Sequence, residues 1–189
     1  MLLRMRWQCF AAMNRRAVLA VPAWALAAGA WAQPKPLAIP DQWYGVKVDE
    51  VVFVEMPGVP DHRVLSDASA LGTAFALHSY SLEAGGYSYV VQTAVYPSDV
   101  DVADPRRLIQ TALDDRARVL DGGKWSTVDW RTVASATAAD STGPLKGGNA
   151  LRQLVLLKGQ RVVSLAFMGP AGSTTGAQAE RFFRSVKLK

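Results

Sequence analysis

The chain has a single cysteine, Cys9, in 189 residues. It lies in an N-terminal stretch that reads as an export signal, so the remainder has none. That excludes disulfides, a thiol nucleophile and Cys-ligated zinc or iron–sulfur centres. It also excludes a lipid-modified N-terminal cysteine, because Gln33 stands where one would sit. Histidine is nearly as scarce, with only His62 and His78. Long apolar runs are missing too. The nearest, Ala17 to Ala30, falls short of the about 20 residues of a membrane-spanning helix and is diluted by Pro22 and Gly29. No G-x-S-x-G elbow, P-loop lysine or nucleophile with a recognisable base appears.

What is present begins with Met13-Asn14-Arg15-Arg16-Ala17-Val18-Leu19, an Ala-rich run, and Ala30-Trp31-Ala32-Gln33. A basic n-region, a short apolar h-region and small residues at Ala30 and Ala32 match signal-peptidase recognition. The expected signal is residues 1–32, with 1–12 as an upstream extension and Met13 as the alternative start. The product is expected in the periplasm or secreted, with no stable membrane insertion. Arg15-Arg16-x-Val18-Leu19 resembles part of a twin-arginine signal. It lacks the preceding Ser or Thr and the following Phe, so a Sec route and a twin-arginine route both stand.

Removal of the signal changes the charge. The formal net charge is +5, from 21 basic and 16 acidic residues; four of the arginines lie before residue 33, leaving 17 basic against 16 acidic, a net +1. The basic excess therefore belongs mostly to the signal. No basic stripe with interleaved aromatics remains for nucleic acid.

Residues 33–42 are a Pro-rich lead-in, and 43–189 read as one domain without linker or repeat. Strand patterns dominate: Val51 to Met56, Thr73 to Leu82, Tyr87 to Tyr96, Lys124 to Ala134, Leu151 to Leu157 and Arg161 to Met168. Glu83-Ala84-Gly85-Gly86 and Lys158-Gly159-Gln160 read as hairpin turns. Apolar residues change face between Leu77 and His78, which signals a bulge or burial on both sides. Asp104-Pro105 opens a helix whose apolar stripe is Leu108, Ile109, Ala112, Leu113, Ala117 and Leu120, with Gly122-Gly123 as its C-cap. A second helix is expected near Thr175, with Gln178 completing a capping box and Ala179, Phe182, Phe183 and Val186 as its stripe. Ser185 to Leu188 reads as a terminal strand, and Ala138 to Gly148 as a small-residue loop. The order describes an α+β domain, a mostly antiparallel sheet covered by helices.

Several segments resemble the Mog1/PsbP-like fold group, in particular small exported bacterial proteins. They are Phe53-Val54-Glu55-Met56-Pro57-Gly58-Val59-Pro60, Tyr80-Ser81-Leu82-Glu83 leading into Tyr87-Ser88-Tyr89-Val90-Val91, and Asp104-Pro105 at the first helix. Gly122-Gly123, Gly169-Pro170 and Ala179-Glu180-Arg181-Phe182-Phe183-Arg184-Ser185 complete them. The resemblance covers roughly residues 50–189 by order of elements. It implies an α/β/α sandwich and action by binding, as in a photosystem accessory protein, a nuclear-transport GTPase partner and mycobacterial lipoproteins. It carries over no binding residue and no cofactor.

The remaining candidates each have a plain structural explanation. His62, beside Asp61 after a proline turn, reads as an exposed pair, and His78 as a hydrogen-bonded histidine on a sheet wall. A metal site at either needs a third and fourth ligand from carboxylates. Asp99, Asp101 and Asp104 lack the glycine turn and distant Glu of a calcium loop, and read as a solvated loop with a helix cap. Asp114 and Asp115, followed by Arg116 and Arg118, read as a solvated helix face. Gly169 to Gly176 joins strand to helix without a phosphate-binding lysine. Trp43, Tyr44, Tyr80, Tyr87, Tyr89, Trp125 and Trp130 divide between core and a groove. The expectation is a non-enzymatic envelope module, with no catalytic, metal or cofactor residue, binding an unidentified protein or small ligand. The alternative is a hydrolase or metal-assisted enzyme using His78 or His62.

Overall fold

A computed structural model describes residues 42–189. The expected signal with Ala30 and Ala32, and the lead-in up to residue 41, lie outside the described residues. The elements in chain order are β1 (Tyr44–Lys47), β2 (Val52–Met56), β3 (Asp61–Ala68), β4 (Ala74–Ala84), β5 (Tyr87–Val95) and α1 (Pro105–Ala117). They continue with β6 (Thr127–Val133), β7 (Ala136–Leu145), β8 (Asn149–Lys158), β9 (Arg161–Pro170), α2 (Ala177–Arg184) and β10 (Lys187–Leu188). No helix among the described residues is long and apolar enough to cross a membrane.

The fold is α+β and mostly antiparallel. Seven strands form one sheet in the order β3-β4-β5-β9-β8-β7-β6, every adjacent pair antiparallel. Its three central strands, β5, β9 and β8, are apolar on both faces, as strands covered on both sides must be. On one face Val91, Leu154, Leu156, Val163, Leu165 and Phe167 pack against Val52, Val54 and Met56 of β2 and Ala179, Phe182 and Phe183 of α2. On the other, Leu77, Ala94, Val155, Leu157 and Val162 pack under Ile109 and Leu113 of α1. Further along that face Val90, Leu151 and Ala166 meet Ala117 and Leu120. The change of face at Leu77 is therefore two-sided burial: Tyr80 and Leu82 join the β2–α2 side while Leu77 joins the α1 side, with β4 in continuous register with β5.

The covering of the first face differs from a layer of helices alone. β1, β2 and β10 make a separate three-stranded antiparallel sheet, which shares that face with α2. β10 is only two residues long, Lys187 and Leu188, but it ties the end of α2 to β2.

Four expectations need correction. Ala138 to Gly148 is not a loop; most of it belongs to β7, paired with both β6 and β8. Its residues are small because the space is: Ala136, Ala138 and Ala139 are wholly buried, and a Cβ on Gly143 would come 2.7 Å from Leu120 Cδ1. α1 ends at Ala117 with Arg118 as its C-cap, and Gly122-Gly123 lies in a separate short turn. The capping box at Thr175 does not form. Thr175 ends a single 3-10 turn, and α2 starts after Gly176 with no side-chain cap. β3 was missed because Leu65 is its one apolar side chain packed against the core and the rest are polar or exposed, which leaves no alternation to read. The turn between β4 and β5 is as expected, with Gly85 and Gly86 at φ +61° and +81°, the two positive values a type I′ turn requires.

Candidate functional site

The two histidines, sixteen residues apart in sequence, meet in space. β3 and β4 pair so that His62 lies opposite Tyr80, and His78 opposite Val64 two residues on. All three rings project from the same face. Nε2 of His62 stands 3.2 Å from Nδ1 of His78. The ring centroids are 5.4 Å apart and the planes within 7°. With nitrogens this close and centroids this far apart, the rings lie edge to edge in nearly one plane. The contact is an N–H···N hydrogen bond, not a stack. His62 does stack on Tyr80, at 4.3 Å and 13°. Asp61, the expected neighbour of His62, points to the opposite face because side chains alternate along a strand. Among the described residues, neither imidazole is hydrogen-bonded to a carboxylate or hydroxyl, and no group of three or more His, Cys, Asp or Glu could hold a metal ion.

Tyr80 leads from the histidines to the turn between β1 and β2. Its hydroxyl donates to the Val48 carbonyl at 2.8 Å, and its pKa is raised, first by burial and then by the Asp49 charge. Asp49 is the anchor of that turn. Its Oδ1 accepts from the Val51 and Val52 amides, each at 2.8 Å. Its Oδ2 accepts from Thr93 Oγ1 at 3.2 Å and pairs with the Arg161 guanidinium. Strands β4, β5 and β9 thus each contribute a side chain that holds the turn across the large sheet.

Beyond the turn lies a cleft of about 220 Å³. Val51, Leu156, Val163 and Leu188 form its floor, and Lys158, Arg161 and Lys189 its rim. Three cationic side chains and no Asp or Glu line it. Arg161 is ion-paired with Asp49, so among the described residues Lys158 and Lys189 are the lining cationic side chains without an ion pair. The space equals about seven waters at ~30 Å³ each, which suits a ligand of similar heavy-atom count rather than a dinucleotide or a folded peptide.

The remaining expected candidates are structural. Asp99 accepts from Ser69 at 2.5 Å and Thr73 at 3.0 Å, which lowers its pKa, the Ser69 bond being the largest cause. Asp101 pairs with Arg107, and Asp104 caps α1 through the Arg107 amide at 3.1 Å. Three separate duties account for the three aspartates. Asp114 accepts from Gln110, and Asp115 pairs with Arg118. Arg116 departs from the expected solvated face and is buried against the sheet. Trp43, Tyr87 and Tyr89 line the β2–α2 core, Trp125 and Trp130 pack beside α1, and Tyr44 is exposed.

Sequence reading did not identify the ion network around Arg152. Its Nε and one terminal nitrogen reach both oxygens of Asp140 at 2.9 and 2.8 Å. The other terminal nitrogen reaches Glu180 at 2.5 Å and the Thr174 carbonyl at 3.1 Å. Arg131 also bonds Asp140 at 2.8 Å, and the Arg152 guanidinium lies over Phe183 at 4.6 Å. The Asp140 bond raises the Arg152 pKa further, and Arg152 in turn lowers that of Glu180. The network joins β6, β7, β8 and α2. Four of the five Arg152 N–H donors are taken, and both carboxylates are shared with arginines, so it reads as a tie and not as a site.

Against known proteins, the chain matches no family and no curated relative.

Proposed function

We propose that this is an exported, non-enzymatic binding module of the Mog1/PsbP-like kind, and that the cleft between β10 and the β8–β9 hairpin takes a small organic anion with a short apolar tail. The cleft carries the reading: an apolar floor, a rim of cationic side chains and no Asp or Glu among its lining residues. A buried methylene contributes about 0.8 kcal/mol, so a tail of a few carbons on the floor supplies most of the affinity. The lysines select the sign of the head group. The signal-like segment with Ala30 and Ala32 supports action in the periplasm or outside the cell. An accessory role toward an envelope protein is compatible with the same cleft.

The enzyme reading has one observation in its favour, the meeting of His62 and His78. A hydrolase also needs a nucleophile or activated water held by a base, and among the described residues nothing of that kind is bonded to either ring. The binding reading therefore stands first.

Isothermal titration with pentanoate, pentylamine and pentanol tests it. Pentanoate should bind one to one, with pentylamine at least tenfold weaker. Lys158→Glu should weaken pentanoate about tenfold while leaving the thermal midpoint within a few degrees, since the residue is exposed. Pentylamine binding as tightly as pentanoate, or pentanoate not binding at all, would remove the cleft as an anion site. A screen in which hydrolytic activity disappears in both His78→Ala and His62→Ala would instead favour the enzyme.

A further inference from the structure

We infer that His62 and His78 form a two-imidazole docking site for a borderline divalent transition ion, with copper(II) the preferred occupant. The inference does not depend on the cleft. It rests on spacing, chemistry and access.

Two nitrogens bound to one ion at about 2.0–2.1 Å and roughly at right or tetrahedral angles stand about 3 Å apart. His62 Nε2 and His78 Nδ1 are separated by 3.2 Å. The backbone has therefore already brought two imidazole donors to the separation one ion needs. In the metal-free chain both lone pairs lie along one axis, and a single proton bridges them. An ion replaces that proton once one ring tilts and the lone pairs converge.

His62 is the ring able to tilt. It is exposed and sits on the edge strand β3, and Tyr80 supports its flat face. His78 is half-buried in β4, between β3 and β5, and provides the fixed arm. Two neutral nitrogen donors with no thiolate and no carboxylate in the set suit copper, nickel and zinc rather than calcium or magnesium. Among these, simple nitrogen sites hold copper(II) most tightly. No third protein ligand joins the pair among the described residues. The other positions would be held by water and remain open to exchange, so the site is a docking point and not a closed structural centre.

The test is a copper(II) titration of the purified, metal-stripped protein, followed by calorimetry and electron paramagnetic resonance. One ion should bind per chain, with hyperfine splitting from two imidazole nitrogens. His62→Ala and His78→Ala should each weaken binding at least tenfold and reduce the signal to one nitrogen. His62→Phe keeps a ring on Tyr80 without a donor atom. It should lose copper as His62→Ala does while melting with the parent, which separates loss of a ligand from loss of fold. Nickel and zinc should bind more weakly than copper. Two-nitrogen binding that persists in the double variant His62→Ala/His78→Ala would put the ion elsewhere and overturn the inference. A parent protein that takes up no copper at micromolar concentration would also overturn it.

Discussion

Tyr89 shows how a single side chain can be well packed and still cost stability. It is wholly buried. Trp43, Phe167 and Phe182 meet its ring edge-on, with centroids at 5.9, 5.3 and 5.4 Å, the geometry that aromatic quadrupoles favour. Its hydroxyl, however, has no hydrogen-bond partner among the described residues. A buried hydroxyl left unpaired costs about 1–3 kcal/mol. Tyr89→Phe should therefore stabilise the protein by about 1 kcal/mol, seen as a thermal midpoint about 2–4 °C higher for a domain of this size. A midpoint lower than the parent's would show that the hydroxyl is paired in solution. Burial first, then the nearby Tyr87, pushes the Tyr89 pKa from 10.0 up to about 12. The folded state thus holds this proton more tightly than the unfolded one. The contribution is full below pH 10 and lost as pH rises through about 12. Alkaline melts of the parent should lose stability in that window, and Tyr89→Phe should lose less. Period two puts Tyr87, Tyr89, Val91 and Val95 on one face of β5; the first three line the β2–α2 core, while Val95 at the strand's end is exposed. The missing partner of one oxygen was not legible in that pattern, because it depends on what β2 and α2 bring to that face.

Among the elements, α2 depends most on a polar tie. Its stripe, Ala179, Phe182 and Phe183, anchors it on the sheet, but eight residues make a marginal helix alone. Arg152 on β8 binds Asp140 on β7 and reaches over to Glu180 on α2. Removing one member of a nearly buried ion pair leaves a stranded charge and costs about 3–5 kcal/mol. Arg152→Met should fall near the lower end, about 3 kcal/mol by urea denaturation, because Arg131 still reaches Asp140. A loss under about 1 kcal/mol would mean the pair is solvated. The pH dependence follows from Glu180, whose carboxyl is held below its ordinary value of 4.5 chiefly by the Arg152 hydrogen bond. A depressed acid contributes stability above its unfolded pKa and loses it as pH falls through the folded one. The destabilisation of Glu180→Gln should then be full at neutral pH and fade below 4.5. Glu180 read from sequence as one charge in a helix. Nothing local marks its partner, which is 28 residues away on another layer. β6 was legible as a strand, but β7 after it was not, because no turn signal joins them. Their turn is Ala134-Ser135, both with positive φ, at 47° and 66°, where the usual sequence signal would be Asn-Gly.

For the whole molecule, the first prediction concerns where the working chain starts. If the A-x-A signature around Ala30 and Ala32 is read by a signal peptidase, intact mass and N-terminal sequencing of the exported product should place Gln33 first. An exported product that retains the preceding residues would refute cleavage after Ala32, and a chain found only in the cytoplasm would refute the export proposal, neither touching the fold. Pattern and composition alone carried the α+β class, both helices with most of their apolar stripes, and the two glycine hairpins; Leu120 and Val186, read into the stripes, lie beyond the helix ends. Each feature so carried is a local property, because period, turn chemistry and residue type act over a few neighbouring positions. The second small sheet, the all-small strand β7, the pairing of His62 with His78 and the cleft were decided by the tertiary structure. They join residues from distant parts of the chain: residue 51 to 156–163 and 188 at the cleft, 53 to 187 in the small sheet. Strand pairing and layer packing set those distances, and the free energy that selects them comes from burying both faces of one sheet at once, a quantity no short segment contains.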